Sequence, residues 1–187
     1  MEPNRPALEG NFRFSHRYDD SRRIEIAPGF HRSTTHVAGA SVPSSIFQLD
    51  WFWNPVRQLE FTGAMFTGAN LTKFGGLGTT HGFVISTPRP GEIRAIAVRG
   101  RGGWAQLTWL ATPRLSFNVF SGEHDLNNRD LPSTQVVDRN LAYGVNFFYR
   151  LAPNVITGIE ASQIRTWWMT GQRPLNNHYD LYVAYLF

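Results

Sequence analysis

Asn177-His178-Tyr179-Asp180-Leu181-Tyr182-Val183-Ala184-Tyr185-Leu186-Phe187 is the stretch on which the fold turns. Tyr179, Leu181, Val183, Tyr185 and Phe187 fall at every second position, and their neighbours His178, Asp180, Tyr182, Ala184 and Leu186 are more mixed. A period of two puts the first set on one face of a β-strand. The segment has the length of a strand that crosses a bilayer at a tilt, about 9–11 residues.

Working outward from it, the same alternation recurs upstream. Strands are predicted near 155–165, 141–151, 115–120, 105–111, 59–65, 47–53, 22–28 and 11–18. Helix signals are poor: 17 Gly and 11 Pro recur every few residues, and no long segment carries apolar residues at i, i+3, i+4 and i+7. Residues 1–10, 29–45, 67–103, 122–140 and 167–176 read as loops, with a short hairpin at 82–86 and 92–98 inside the longest. Three tight connections share a form, Asn54-Pro55-Val56, Thr112-Pro113-Arg114 and Ala152-Pro153-Asn154, each with Pro where a missing N–H costs no ladder bond. A three-residue loop pairs Trp53 with Arg57, Ala111 with Leu115 and Leu151 with Val155, and keeps odd-numbered apolar residues on one face. Asp19-Asp20-Ser21 pairs Tyr18 with Arg22, with the apolar face on even numbers.

Alternating aromatics ending on Phe187 make the last strand resemble the C-terminal strand of Gram-negative outer-membrane β-barrels. Phe14-Ser15-His16-Arg17-Tyr18-Asp19-Asp20 and Leu141-Ala142-Tyr143-Gly144 are similar to uncharacterised porin-like proteins of Gram-negative soil bacteria. The resemblance implies an all-β, antiparallel up-and-down transmembrane β-barrel in the outer membrane. Tyr179, Leu181, Val183, Tyr185 and Phe187 would then be the signal read by the barrel-assembly machinery. The implied function is a porin-like channel for passive diffusion of small hydrophilic solutes or ions, with outer-membrane lipid as its surroundings and homo-oligomerisation left open. Short turns alternating with long loops fit such a barrel, and Tyr18, Trp53, Trp104, Tyr149, Trp167, Trp168, Tyr179 and Tyr185 fit its two interfacial girdles. Nine strands are counted, or eleven with the hairpin at 82–98. Single-chain bacterial barrels have even numbers, and residues 1–10 lack the apolar core of a signal peptide. The expectation is therefore one barrel domain over 1–187, N-terminally incomplete, belonging to a larger barrel.

Chemistry is sparse. With no Cys there is no disulfide or thiolate site, and a net charge of +4 from 17% charged residues does not suit nucleic acid. The six His show no metal-ligand spacing, so no cofactor, metal or catalytic residue is expected. The less apolar face supplies the expected pore lining: Arg13, Arg17, Asp50, Glu60, Asn118, Asn146, Arg150, Glu160 and Asp180. The alternatives are a barrel enzyme with His124 and Asp125 at the rim, beside Glu123 and Asp130, a structural or adhesive barrel binding partners through loops 29–45, 67–103 and 122–140, and a soluble lipocalin-like binder.

Overall fold

The computed structural model of the chain describes residues 6–71, 82–131 and 136–186. Among them the chain forms β1 (Leu8–Asn11), β2 (Phe14–Arg17), β3 (Arg23–Val37), β4 (Ala40–Val56), β5 (Leu59–Ala69), β6 (Phe83–Arg89), β7 (Glu92–Ala97), β8 (Arg99–Thr112), β9 (Leu115–Leu126), β10 (Val137–Ala152), β11 (Val155–Trp168) and β12 (Leu175–Tyr185). A 3-10 turn lies at Asn128–Asp130. Ten of the strands make one antiparallel up-and-down sheet, and β6 pairs with β7 apart from it.

β1 and β2 are one strand interrupted. Both pair with β3 in a single register, Leu8 opposite Arg32 and Phe14 opposite Ile26. Phe12 lies opposite Pro28 in that register, and its N–H donates to the Pro28 carbonyl at 2.9 Å. Proline has no N–H to return the bond, so the ladder breaks there. Ten segments, two of them collinear, make a wall nine strands wide.

The apolar residues that recur at every second position face one way, as their spacing predicts. On β8 to β12 the odd-numbered side chains form the exposed outer face and the even-numbered ones the more enclosed inner face; Val119 is 57% exposed and its neighbour Asn118 4%. Trp53 stacks on Phe61 and Trp109 on Phe117 across the outer face, at 5.6 and 5.5 Å between ring centroids. On β1 to β3 the outer face carries even numbers, among them Phe12, Phe14, Ile26 and Phe30.

Three of the four expected ladders are observed, centred on residues 20, 113 and 153, but two of their turns are corrected: Leu115 faces Thr112 rather than Ala111 and Val155 faces Ala152 rather than Leu151, each across an irregularity that shortens the loop to two residues. The fourth is corrected. Trp53 faces Phe61, not Arg57, and the chain reverses at Arg57-Gln58. Asn54 and Pro55 remain inside β4 as an irregularity, where the Asn54 side chain donates to the carbonyls of Val56 (2.9 Å) and Leu59 (3.1 Å) in place of the disrupted ladder. Face parity survives, because the register moved by an even number.

The expected loop at 29–45 is also corrected: it is the end of β3 and the start of β4, paired from Gly29–Gln48 to Val37–Ala40. Ser and Thr alternate there without an apolar face, so the stretch lacks a strand signature while still pairing. Strand also replaces loop at 8–10, 99–103, 122–126 and 137–140. At this loop-side rim, β7 packs against β4, and Val42, Leu71 and Val98 are buried. Asn70 donates to Ser44 Oγ at 2.7 Å.

The wall is tilted. Glu60, Thr108–Asn118 and Asn146–Glu160 lie in one cross-strand row, three, five and seven residues from the centres of their hairpins at 57, 113 and 153. That is one residue of stagger per strand. With about 3.3 Å per residue and 4.8 Å between strands, the tilt is about 35°, inside the range of membrane barrels. The outer apolar run from Leu141 to Leu151 on β10 then stands about 27 Å high, close to the roughly 25 Å band such barrels present to lipid.

Candidate functional site: the inner wall

A continuous polar row crosses the inner face. Thr108 Oγ1 donates to Asn118 Oδ1 at 2.6 Å, and Asn118 Nδ2 donates to Asn146 Oδ1 at 2.6 Å. Asn146 Nδ2 donates to Glu160 Oε2 at 3.0 Å. Gln106 Nε2 bridges Thr108 and Asn118 from the next row, at 3.1 and 3.2 Å. Directly opposite one another, Glu60 faces Thr108 at one end and Asp180 faces Glu160 at the other. Asn118 and Asn146 each accept from one neighbour and donate to the next, so these two amides are fixed in orientation.

The structure thus joins Asn118, Asn146 and Glu160 directly and places Glu60 and Asp180 in the same row. Arg17 lies opposite Arg23 on the turn-side continuation of that row. Asp50 lies higher, opposite Ala64, and accepts from Gln48 at 3.4 Å. Arg13 falls in the gap between β1 and β2. Arg150 sits at the turn-side rim, where its Nη1 donates to the Pro153 carbonyl at 2.9 Å. Tyr179, Leu181, Val183 and Tyr185 alternate along the outer face of β12, with Tyr179 79% and Leu181 74% exposed. Phe187 lies outside the described residues.

The inner face also carries large rings that the apolar alternation did not reveal: Phe52, Phe66, Trp104, Phe120, Phe148 and Tyr182. Trp104 and Trp168 were expected in the outer girdles; their even positions on β8 and β11 put them on the opposite face from Ala105 and Trp167. Several rings lie over a cross-strand glycine. A Cβ on Gly144 would stand 2.7 Å from Phe120 Cζ, and one on Gly158 2.5 Å from Phe148 Cδ1. The readable signal was a glycine registered opposite an even-numbered aromatic. Phe148 further contacts Tyr182 at 5.8 Å.

The rim cluster is divided between the two faces. His124 is on the inner face, 1% exposed, with Phe66 edge-on at 5.6 Å. Glu123 and Asp125, its chain neighbours, point to the outer face. There Glu123 pairs with Arg139 at 3.0 Å and Asp125 with Arg101 at 3.1 Å. Asp130 pairs with Arg99 at 2.7 Å, and that hydrogen bond holds its carboxyl below the usual range. Among the described residues no three His, Asp or Glu side chains gather as a metal site.

No family model matches the chain, and no curated protein matches it in sequence. Solved structures do match in fold. The outer membrane channel DcaP of Acinetobacter baumannii aligns with a TM-score of 0.68 over 95% of this chain, at 9% identity. The NanC porin aligns with a TM-score of 0.50, covering 97% of this chain and 94% of its own, at 8% identity. LpxR from Salmonella typhimurium aligns at 0.32, too low to bear on this chain. The chain spans 62% of DcaP, less than two thirds of that channel's length. At these identities the similarity concerns the fold: an all-β, antiparallel wall of the outer-membrane barrel kind.

Proposed function

We propose that this chain builds the wall of an outer-membrane channel for passive diffusion of small hydrophilic solutes, in the outer membrane of a Gram-negative cell. The observation that carries this reading is the hydrogen-bonded row Thr108–Asn118–Asn146–Glu160 on the face opposite a continuous apolar band. Polar groups lining one face of a wall whose other face suits lipid are what an aqueous lumen requires. No chemical step is part of this reading. The pore lining remains Arg13, Arg17, Asp50, Glu60, Asn118, Asn146, Arg150, Glu160 and Asp180.

The same reading requires closure. Among the described residues β12 pairs only with β11, and β1 and β2 only with β3. Both edge strands run toward the turn-side rim: β2 enters the Asp19–Ser21 turn, and Leu186 after β12 donates to Asn154 in the β10–β11 turn. Joining these two edges to each other would make a parallel seam. An odd number of further strands closes an all-antiparallel barrel, and lipid tolerates bare edges badly. The partners of this reading are those strands, lipid and the assembly machinery that reads β12. The test is reconstitution in planar bilayers. Discrete conductance steps that scale with bulk electrolyte conductivity are expected; folded, heat-modifiable protein that gives none would remove the channel reading.

A further inference from the structure

On the inner wall the arginines stand low. Near the hairpin centres, three residues from 20, 153 and 57, are Arg17, Arg23 and Arg150 together with the single carboxylate Glu60. Seven residues from the centres at 57 and 153 stand Asp50 and Glu160, with Asp180 registered opposite Glu160. Arg13 is the one inward arginine of that height among the described residues, on the interrupted strand. Arg23 is already engaged by Glu25 at 2.8 Å, whereas Asp50, Glu160 and Asp180 have no ion-pair partner among the described residues. Glu160 instead accepts from Asn146, and its opposition to Asp180 is the like-charge pairing that sheets otherwise avoid. A wall selected for rigidity alone would have paired these carboxylates with the arginines, or replaced them by amides like Asn118 and Asn146.

Resting on the channel reading, we propose that the middle of this wall selects cations over anions, with Glu160 and Asp180 as the principal specificity residues and Asp50 as a third. The rim arginines do not cancel them. Four residues along a strand is about 13 Å, and the screening length at physiological salt is about 8 Å. A solute at mid-height therefore feels the carboxylates beside it far more than the guanidiniums below. Exposed charges of one sign along a pore act as a filter of this type without binding any ion for long.

The experiment is the reversal potential of the reconstituted protein under a potassium chloride gradient. The protein should favour potassium over chloride. The double variant Glu160→Gln, Asp180→Asn should lower the permeability ratio about fivefold, as expected for two charges about 8 Å from the path in water. Glu160→Asp with Asp180→Glu, which keeps both charges, should restore it. Glu123→Gln, which removes the same charge from the outer face, should leave it unchanged. Heat-modifiable migration of each variant shows that the barrel has formed. Conductance with chloride preferred, or a ratio unmoved by the double variant, overturns the selectivity while leaving the channel standing. Folded protein without any conductance sinks the channel itself.

Discussion

Ala38 and Gly39 reverse the chain between β3 and β4 with φ of 50° and 81°. Both lie in the left-handed region that a two-residue hairpin turn of this hand demands. Gly39 adopts it freely, whereas Ala38 is strained by roughly 1 kcal/mol. Ala38→Asn should therefore stabilise the protein by several tenths to about 1 kcal/mol, read as a higher midpoint in urea titration of the lipid-reconstituted protein. Asp19 closes the opposite rim. Its Oδ1 accepts from the Ser21 N–H and Ser21 Oγ at 2.8 Å and from the Arg22 N–H at 2.9 Å. These bonds, the Ser21 backbone first, hold its carboxyl well below the usual range. A depressed folded-state value means the contribution is complete above the unfolded value of about 3.9 and is lost as pH falls through the folded value. Asp19→Asn should lower stability at neutral pH, where the ionised carboxylate contributes fully, and flatten whatever loss of stability the protein shows below about pH 4, read in urea titrations at the two pH values.

At the scale of the strand, Pro28 decides where β1 ends and β2 begins. Pro28→Val supplies the missing donor opposite the Phe12 carbonyl and should join the two segments, adding about 0.5–1.5 kcal/mol. Slower hydrogen exchange of the amides at 12–14 would show it; unchanged exchange would mean that something other than the lost bond separates them. Strand faces were readable because a period of two repeats between turns of known length: the hairpins at 113 and 153 place Phe117, Tyr143, Phe147, Tyr149, Tyr179 and Tyr185 on the outer side expected. The hairpin at 57 was misplaced because Pro55 looks like Pro113 and Pro153 in sequence. Only the bonds that the Asn54 side chain makes to Val56 and Leu59 allow a proline within that strand end. Residues 29–45 were hidden for another reason. Above the apolar band neither face needs to be hydrophobic, so pairing persists after alternation stops. The inward rings were hidden by their small partners, since Gly144 and Gly158 carry no alternation of their own.

For the whole molecule, the assignment of faces is open to a paired test on β11. Ala161 is on the outer face near mid-band and Ser162 beside it is on the inner face. Ala161→Arg should destabilise the folded protein by about 2–4 kcal/mol, the cost of a charge at the lipid midplane. Ser162→Arg should cost less than half as much, since its guanidinium meets water. Equal penalties in lipid-based unfolding would mean that the inner face is not wet. What sequence alone left open at this scale was the tilt. Stagger is a relation between hairpins, and no single hairpin contains it.

That stagger shapes what a passing molecule would meet. Because the chain of amides and acids from Glu60 to Asp180 ascends by one position at each strand, it winds up the wall as a spiral stair instead of encircling it at one level. A traveller along the axis would be handed from step to step, each contact made as the previous one is released, with no ring at which all of them grip together. Passage along such a stair is a succession of shallow wells, and so swapping one step should alter how fast things move far less than which things are admitted.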